Sequence, residues 1–307
     1  MIRAIEALLA RVVVEIAEYW PNPVRARDDR IGAVPGTRDY DCGYAMEQLN
    51  QRVRNGLRVA ANMPTLIGKY VLEIGCGHGG LACFLAGGGA RKVVGVDVNE
   101  KHLDIARTFS ETLGLNADRC HFELGDAHAL PFAEGEFDLV VANNLFEHVT
   151  TPAQVLREAY RVLRPGGTLV VPSFSSIYSK YGLHLKHGLK LPWLNLILPE
   201  RVIVDALRRR VERHPHLVDV YPGVSAQATR VRDVRRHRDL NDITHAGFLN
   251  AAREVGFKLQ SFHVHATLVG YVVRRLVPVL ERTALLDVFS TGAGAVLSKA
   301  DAPQLSN

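Results

Sequence analysis

Tyr70-Val-Leu-Glu-Ile74 runs directly into Gly75-Cys-Gly77-His-Gly79-Gly80, and the reading of that junction decides the fold. Five residues, mostly apolar, are the length of a buried strand. Three glycines in alternation follow, and glycine lets a backbone turn tightly and come close to a ligand. An acid, Glu73, stands two residues ahead of the first glycine. The loop is not a phosphate-binding P-loop, because no Gly-Lys-Ser/Thr follows it. Its glycines run G-x-G-x-G, although Gly80 formally satisfies the dinucleotide spacing as well. Taken alone, the loop leaves a dinucleotide enzyme open.

Working outward, the strand-then-helix rhythm repeats. Lys92–Asp97 is a second apolar run ending in an acid, and Glu100–Leu113 has a helical pattern with Leu103, Ile105, Ala106 and Phe109 apolar. His121–Asp126 predicts a third strand, again ending in an acid, and Phe137–Ala142 a fourth. Pro152–Leu163 predicts a helix with proline near its start, where a missing N–H costs nothing. Arg164-Pro-Gly-Gly167 reads as a turn and Thr168–Val171 as a fifth strand. Buried runs alternating with helices imply a parallel sheet, and ligands of such sheets lie beyond the carboxyl ends of the strands. The Gly loop, Asp97, Asp126 and Asn143 all fall there. A carboxylate at Asp97 can accept two ribose hydroxyls, a role shared with nicotinamide enzymes. Asp126, followed by Ala127, can accept from an adenine amino group; in isolation it would read as a turn acid.

These motifs, in this order, resemble the class I S-adenosylmethionine-dependent methyltransferases: Glu73–Gly79, Asp97, Gly125-Asp-Ala127, Phe137-Asp-Leu-Val-Val-Ala-Asn-Asn-Leu-Phe-Glu-His148 and Leu163-Arg-Pro-Gly-Gly167. The likeness covers residues 69–172 and is to the bacterial small-molecule group that includes ubiquinone/menaquinone-biosynthesis and natural-product methyltransferases. It implies an α/β, Rossmann-like, doubly wound seven-stranded sheet with the last strand antiparallel. It implies S-adenosyl-L-methionine as cofactor and methyl transfer to a small-molecule acceptor in secondary or cofactor metabolism. By resemblance, Glu73, Gly75, Cys76, Gly77 and Gly79 sit by the methionine part, Asp97 with Val98 holds the ribose, Asp126 and Ala127 flank the adenine, and Asn143 and Asn144 line the sulfonium. Amino-methylating nucleic-acid enzymes of the class carry an Asn/Asp-Pro-Pro-aromatic run where this chain has Asn143-Asn-Leu-Phe146, and no Pro-Cys nucleophile occurs there. A nicotinamide-dependent oxidoreductase or epimerase, a nucleic-acid methyltransferase and an inactive adenosyl-binding module stay as alternatives.

Outside that stretch the reading is coarser. Residues 1–68 are expected to form a helical lid, 173–241 a helical cap on the substrate side, and 242–307 to complete the sheet. Thr244 is a plausible N-cap for a helix to Val255, stopped by Gly256, with strands at Lys258–His265 and Ala293–Leu297 and a helical run between them at Leu268–Leu286. The first helix places Ile5, Leu8, Leu9, Val12 and Ile16 on one face, expected to pack on the body; its few basic residues disfavour a membrane-surface helix. Tyr178, Tyr181 and Trp193 of the cap are expected to wall the acceptor pocket, and Tyr40 and Tyr44 to close over the cofactor or pack.

Methyl transfer chiefly requires alignment, and a hydroxyl acceptor also needs its proton removed. His148, after the fourth strand, and His184, in the cap, are the candidates. His187, like His184, either lines a pocket or lies on the surface of the lid; His245 is read as a first-turn helix residue, and His263 and His265 as alternating strand positions. No metal-ligand spacing is recognisable, so no metal is expected. The four cysteines, Cys42, Cys76, Cys83 and Cys120, form no CxxC pair and read as reduced thiols in a cytoplasmic protein. The formal charge is +5, and the excess is local: ten arginines against five acids between Arg201 and Leu240, read as a solvated helical face. That stretch lacks the aromatic interleaving of single-strand binders, so no nucleic-acid partner is expected. No apolar run is long enough for a membrane span, and a homo-oligomer is left open.

Overall fold

The computed structural model describes residues 2–19, 39, 41–47, 49–50, 63–180, 189–215, 241–266, 285–288 and 290–301. Its elements are α1 (Ile2–Tyr19), β1 (Tyr70–Ile74), α2 (Gly80–Gly87), β2 (Lys92–Asp97), α3 (Glu100–Thr112), β3 (Cys120–Leu124), β4 (Phe137–Ala142), α4 (Pro152–Val162), β5 (Leu163–Phe174), α5 (Glu200–Arg213), α6 (His245–Val255), β6 (Lys258–Ala266) and β7 (Ser290–Ser298). Short helical turns lie at Leu194–Ile197 and Leu285–Val288.

The seven strands form one sheet in the order β3-β2-β1-β4-β5-β7-β6. Pairings from β3 through β5 are parallel, and β7 runs antiparallel between β5 and β6. The apolar runs are explained by this arrangement, because central parallel strands are covered on both faces. Along β1, Leu72 and Ile74 join the core under α4 and α6, while Val71 points into the core under α2 and α3. Strand order reverses at β1, so the crevice between the carboxyl ends of β1 and β4 is the topological switch point where α/β folds place ligands.

Helix ends follow local chemistry. Asn99 caps α3 by accepting from Lys101 N–H, and Thr244 caps α6 by accepting from Gly247 N–H at 2.9 Å. Gly256 ends α6 in the left-handed conformation. Two expectations need correction. Leu163–Phe174 is continuous strand, and Arg164-Pro-Gly-Gly167 is an irregularity inside it, with Gly166 left-handed and the register shifting opposite Phe137 and Leu139. Second, α1 does not bury the face carrying Ile5, Leu8, Leu9, Val12 and Ile16. It buries Ala10, Val13, Val14 and Ala17 against Val202, Ile203, Ala206 and Leu207 of α5. Small side chains let the two helices approach, and α5 supplies cations that select that face. Arg210 pairs with Glu18, and Arg213 meets Glu15 at 2.6 Å. Arg210 is buried, so part of the arginine-rich stretch is a clamp rather than a solvated face. Most of the expected helix Leu268–Leu286 lies outside the described residues, as do His184, His187, Tyr181 and Tyr40. Among the described residues no helix is long and apolar enough to cross a membrane.

Candidate active site

The loop after β1 alternates left-handed glycines: φ is +71° at Gly75, +51° at Gly77 and +79° at Gly79. Each has a different physical reason. A side chain at Gly79 would meet Ala106 Cβ at 2.8 Å and Phe122 Cζ at 2.9 Å, so this glycine lets the loop pack on α3 and β3. At Gly75 it would meet Leu145 Cδ1 at 2.8 Å, while at Gly77 it would meet nothing within 4 Å. Gly77 faces open space, the place for a ligand to approach backbone. The loop is held by Gly75 N–H and Cys76 N–H, which donate to Val96 O at 2.8 and 3.0 Å.

Asp97 ends β2 under this loop. Its Oδ2 accepts Gly77 N–H at 2.9 Å and its Oδ1 accepts Asn99 N–H at 3.0 Å. Burial pushes this carboxyl up, but the neighbouring His102 ring and the two N–H donors outweigh burial and hold it below its ordinary value. An ionised carboxylate has about four acceptor positions. Two are used here, which leaves two for a pair of hydroxyls. His102 Nδ1 lies 3.5 Å from Asp97, and the His78 ring packs edge-on against His102 with centroids 4.8 Å apart. Burial, then His102, depresses the pKa of His78, so it is neutral at pH 7. Tyr44 completes the row, 5.7 Å from His78. The sequence signal for His78 and His102 was present but unread: one stands inside the glycine motif, the other three residues after the cap Asn99.

Asp126 follows β3 and is exposed. Its Oδ1 accepts His128 N–H at 2.8 Å and faces His128 Nδ1 at 2.7 Å. Thr151 N–H donates to His128 Nε2 at 3.3 Å, so Nδ1 carries the proton and donates to Asp126. These bonds hold Asp126 below its ordinary pKa and fix its orientation, leaving Oδ2 as the acceptor outside this contact. Ala127 is buried, and Val98, next to Asp97, leaves 70% of its surface exposed. Glu73 is a buried carboxylate at the end of β1. Its charge adds to burial in raising the thiol of Cys76 well above its ordinary value, so Cys76 is a neutral thiol.

After β4, Asn144 takes a left-handed φ of +50°, and its N–H donates to Ser173 O at 2.7 Å. Asn143 Oδ1 is buried with no donor among the described residues. His148 is half-buried in the following turn, where its N–H donates to Leu145 O at 2.8 Å. That turn is clasped by Asn241, whose Nδ2 donates to Phe146 O at 2.5 Å and Val149 O at 2.7 Å. Sequence reasoning missed Asn241, because nothing local marks it. Tyr178 is partly exposed just beyond β5. Trp193 donates its indole N–H to Val288 O at 2.7 Å, which ties its segment to the turn before β7.

A second group reasoning missed is the His245–Asp287 pair. Both are buried, and His245 N–H donates to Asp287 Oδ1 at 2.9 Å. Burial depresses the pKa of His245, opposed by the charge of Asp287. The ring packs against Phe174 at the end of β5, 5.4 Å between centroids. His245 does open α6, as its position in the sequence indicated.

A glycine loop with an open face, a carboxylate with two spare acceptor positions, an exposed apolar side chain and an orphaned buried carbonyl lie along the carboxyl rim of the sheet, on the fold of S-adenosylmethionine-dependent methyltransferases. The similarity to known proteins agrees. Residues 72–171 match the model of the methyltransferase domain family. Over 143 residues it is 36% identical to the 27-O-demethylrifamycin SV methyltransferase of Amycolatopsis mediterranei (strain S699), covering 47% of this chain and 52% of that one. Over 112 residues it is 41% identical to the ubiquinone biosynthesis O-methyltransferase of Thiobacillus denitrificans (strain ATCC 25259 / T1), covering 36% and 47%. The chain spans about half the length of the curated relatives it matches. In fold it is similar to an S-adenosylmethionine dependent methyltransferase from Mesorhizobium loti, with a TM-score of 0.51 and 17% identity over 80% of this chain and 97% of that one.

Proposed function

We propose that this protein is an S-adenosylmethionine-dependent methyltransferase acting on a hydroxyl of a small molecule. The observation that carries the proposal is the coupling of the Gly77 backbone to the Asp97 carboxylate at the switch point, with open space above Gly77. The oxygen acceptor is supported by the two relatives, a 27-O-demethylrifamycin SV methyltransferase and a ubiquinone biosynthesis O-methyltransferase.

The bound cofactor supplies a methyl group on a positively charged sulfur, already activated for direct displacement. The chain's work is to bind and align. Asp97 accepts the ribose hydroxyls with its two spare positions. Glu73 and the Gly75–Gly79 backbone with Cys76 receive the methionine portion. Asp126 Oδ2 accepts the adenine amino group, while Val98 and Ala127 give the ring apolar contact. Asn143 and Asn144 border the sulfonium. A positive charge there offsets the cost of burying the orphaned Oδ1 of Asn143. His148 is the group that takes the hydroxyl proton, and Tyr178 with Trp193 walls the acceptor.

Calorimetric titration with S-adenosylmethionine, S-adenosylhomocysteine and NAD tests this. Micromolar binding of both adenosyl ligands, lost in Asp97→Ala and absent for NAD, is the expected result. Binding of NAD alone refutes it. Deleting the cap while the core stays folded abolishes turnover and leaves adenosyl binding; turnover that survives the deletion rules out the cap as acceptor wall.

A further inference from the structure

Among the described residues, two donors reach the Asp126 carboxylate, and both converge on one oxygen. Oδ1 accepts the His128 backbone N–H at 2.8 Å and the His128 Nδ1–H at 2.7 Å. One donor is a pivot about which a carboxylate turns; two donors from different directions fix its plane. The ring that supplies the second donor is itself clamped. Its Nε2 accepts Thr151 N–H at 3.3 Å, and Thr150 Oγ1 lies 3.2 Å from the same nitrogen. Gln154 Nε2 donates to the His128 carbonyl at 3.2 Å. All three holders stand at the start of α4, 22 to 26 residues along the chain from His128. The Asp126 side chain is 61% exposed, and a carboxylate that exposed ordinarily turns with the solvent. A turn acid needs no second element to hold it still.

We propose that His128 is a positioning residue, through which Asp126 selects a purine with a 6-amino group over one with a 6-oxo group. The inference rests on the adenosyl-methyltransferase reading and names what decides base identity in that site. With Oδ1 occupied twice, the oxygen left to a ligand is Oδ2, and the oxygen of an ionised carboxylate only accepts. A 6-amino group donates to it. A 6-oxo group sets a second acceptor against it, with no hydrogen to share. A carboxylate free to turn would escape that clash, toward water or toward the N1–H that a 6-oxo purine carries. Held by the ring, it has no such escape. Fixing the plane therefore works on both bases. It spares the amino base the entropy of ordering Asp126, and it keeps the penalty on the oxo base in force. Discrimination by an unfavourable pairing is the stronger part, because rejection needs a partner that cannot adapt.

Calorimetric titration of the full chain with S-adenosylhomocysteine and with S-inosylhomocysteine, its 6-oxo counterpart, tests it. The wild type binds the adenosyl ligand more tightly by about a hundredfold. His128→Ala and His128→Gln each lower that ratio by about tenfold, the worth of one hydrogen bond to a charged group. His128→Asn keeps it. Asparagine carries an amide N–H where histidine carries Nδ1, whereas the longer glutamine places its amide where Nε2 stood, against Thr151. In Asp126→Ala the ratio is near one, and adding His128→Ala leaves it there, as a cycle between two coupled residues requires. If His128→Ala does not fold, the Asn and Gln variants decide. A ratio that His128→Ala and His128→Gln leave at the wild-type value overturns the proposal and spares the methyltransferase reading. So does a ratio that all three variants lose equally, which would make the ring a packing residue, and so does a wild type that binds the two ligands alike. A wild type that binds neither ligand overturns the proposal and the reading together.

Discussion

The two halves of the sheet's carboxyl rim are built differently. Around β1, β2 and β3 the polar groups find partners close by in sequence. Asp97 is twenty residues from Gly77 and two from Asn99, and Asp126 is two from His128. Around β4, β5 and β7 the partners come from afar. Asn241 reaches Phe146 across 95 residues, Trp193 reaches Val288 across 95, and His245 reaches Asp287 across 42. The first half is held together locally, and its polar groups form a string of motifs. The second exists only once the chain has closed.

The contrast makes predictions that differ in kind. Largest is Asp97→Ala, which removes a charged acceptor and orphans the Gly77 N–H. Adenosyl affinity falls by about a hundredfold or more, while the melting temperature changes little by comparison. A variant that still binds at wild-type affinity breaks the locally held half. Next come the glycines. Gly79→Ala drives a methyl into Ala106 and Phe122 at a left-handed φ and costs about 2–4 kcal/mol of stability by denaturant unfolding. Gly77→Ala meets open space, so it costs about 1–2 kcal/mol from backbone strain alone, yet it weakens ligand binding more than that loss explains. Equal stability losses would show that the two glycines do one job.

On the other half, Asn241→Ala removes two donors to the turn after β4 and costs about 2 kcal/mol. Because that turn carries His148, turnover should fall further than adenosyl binding. Smallest is the acid response of the α1 clamp. Burial raises the pKa of Glu18, but Arg210 and His214 outweigh it and hold the carboxyl down at about 2, from an ordinary 4.5. A folded-state value below the unfolded one means stability is fully present above pH 4.5 and drains away as pH falls toward 2. Amide exchange in α1 should therefore accelerate through that window, and Glu18→Gln should flatten the response.

The same contrast explains what could be read from the chain alone. Strands β1, β2 and β4 were legible to the residue, because a strand buried on both faces is an uninterrupted apolar run. Glu73, the glycines, Asp97 and Asp126 stand at the strand ends their spacing indicated, because that spacing reflects local turns. The Arg164–Gly167 segment was misread, since Pro-Gly-Gly has turn composition whether it ends a strand or kinks one against Asp301 and Lys299. The facing of α1 was misread for another reason. Hydrophobicity favours burying Leu and Ile, but Ala10, Val13, Val14 and Ala17 permit closer approach to α5, and the Glu15 and Glu18 pairs fix the rotation. Asn241 and the His245–Asp287 pair are single polar residues without spacing, and only the closed chain gives them partners.

The docking of α1 on α5 also bears on how the protein is made. Glu15 contacts Arg213 across 198 residues, so α1 leaves the ribosome long before its partner exists. At ordinary synthesis rates that interval is about 10–40 s. Throughout it both apolar faces of the helix lack a folded partner. The nascent chain therefore carries a sticky leading helix whose safe handling depends on shielding by a chaperone or on low local concentration. Slowing translation anywhere between β1 and α5 should lower the yield of folded protein more than slowing it afterwards.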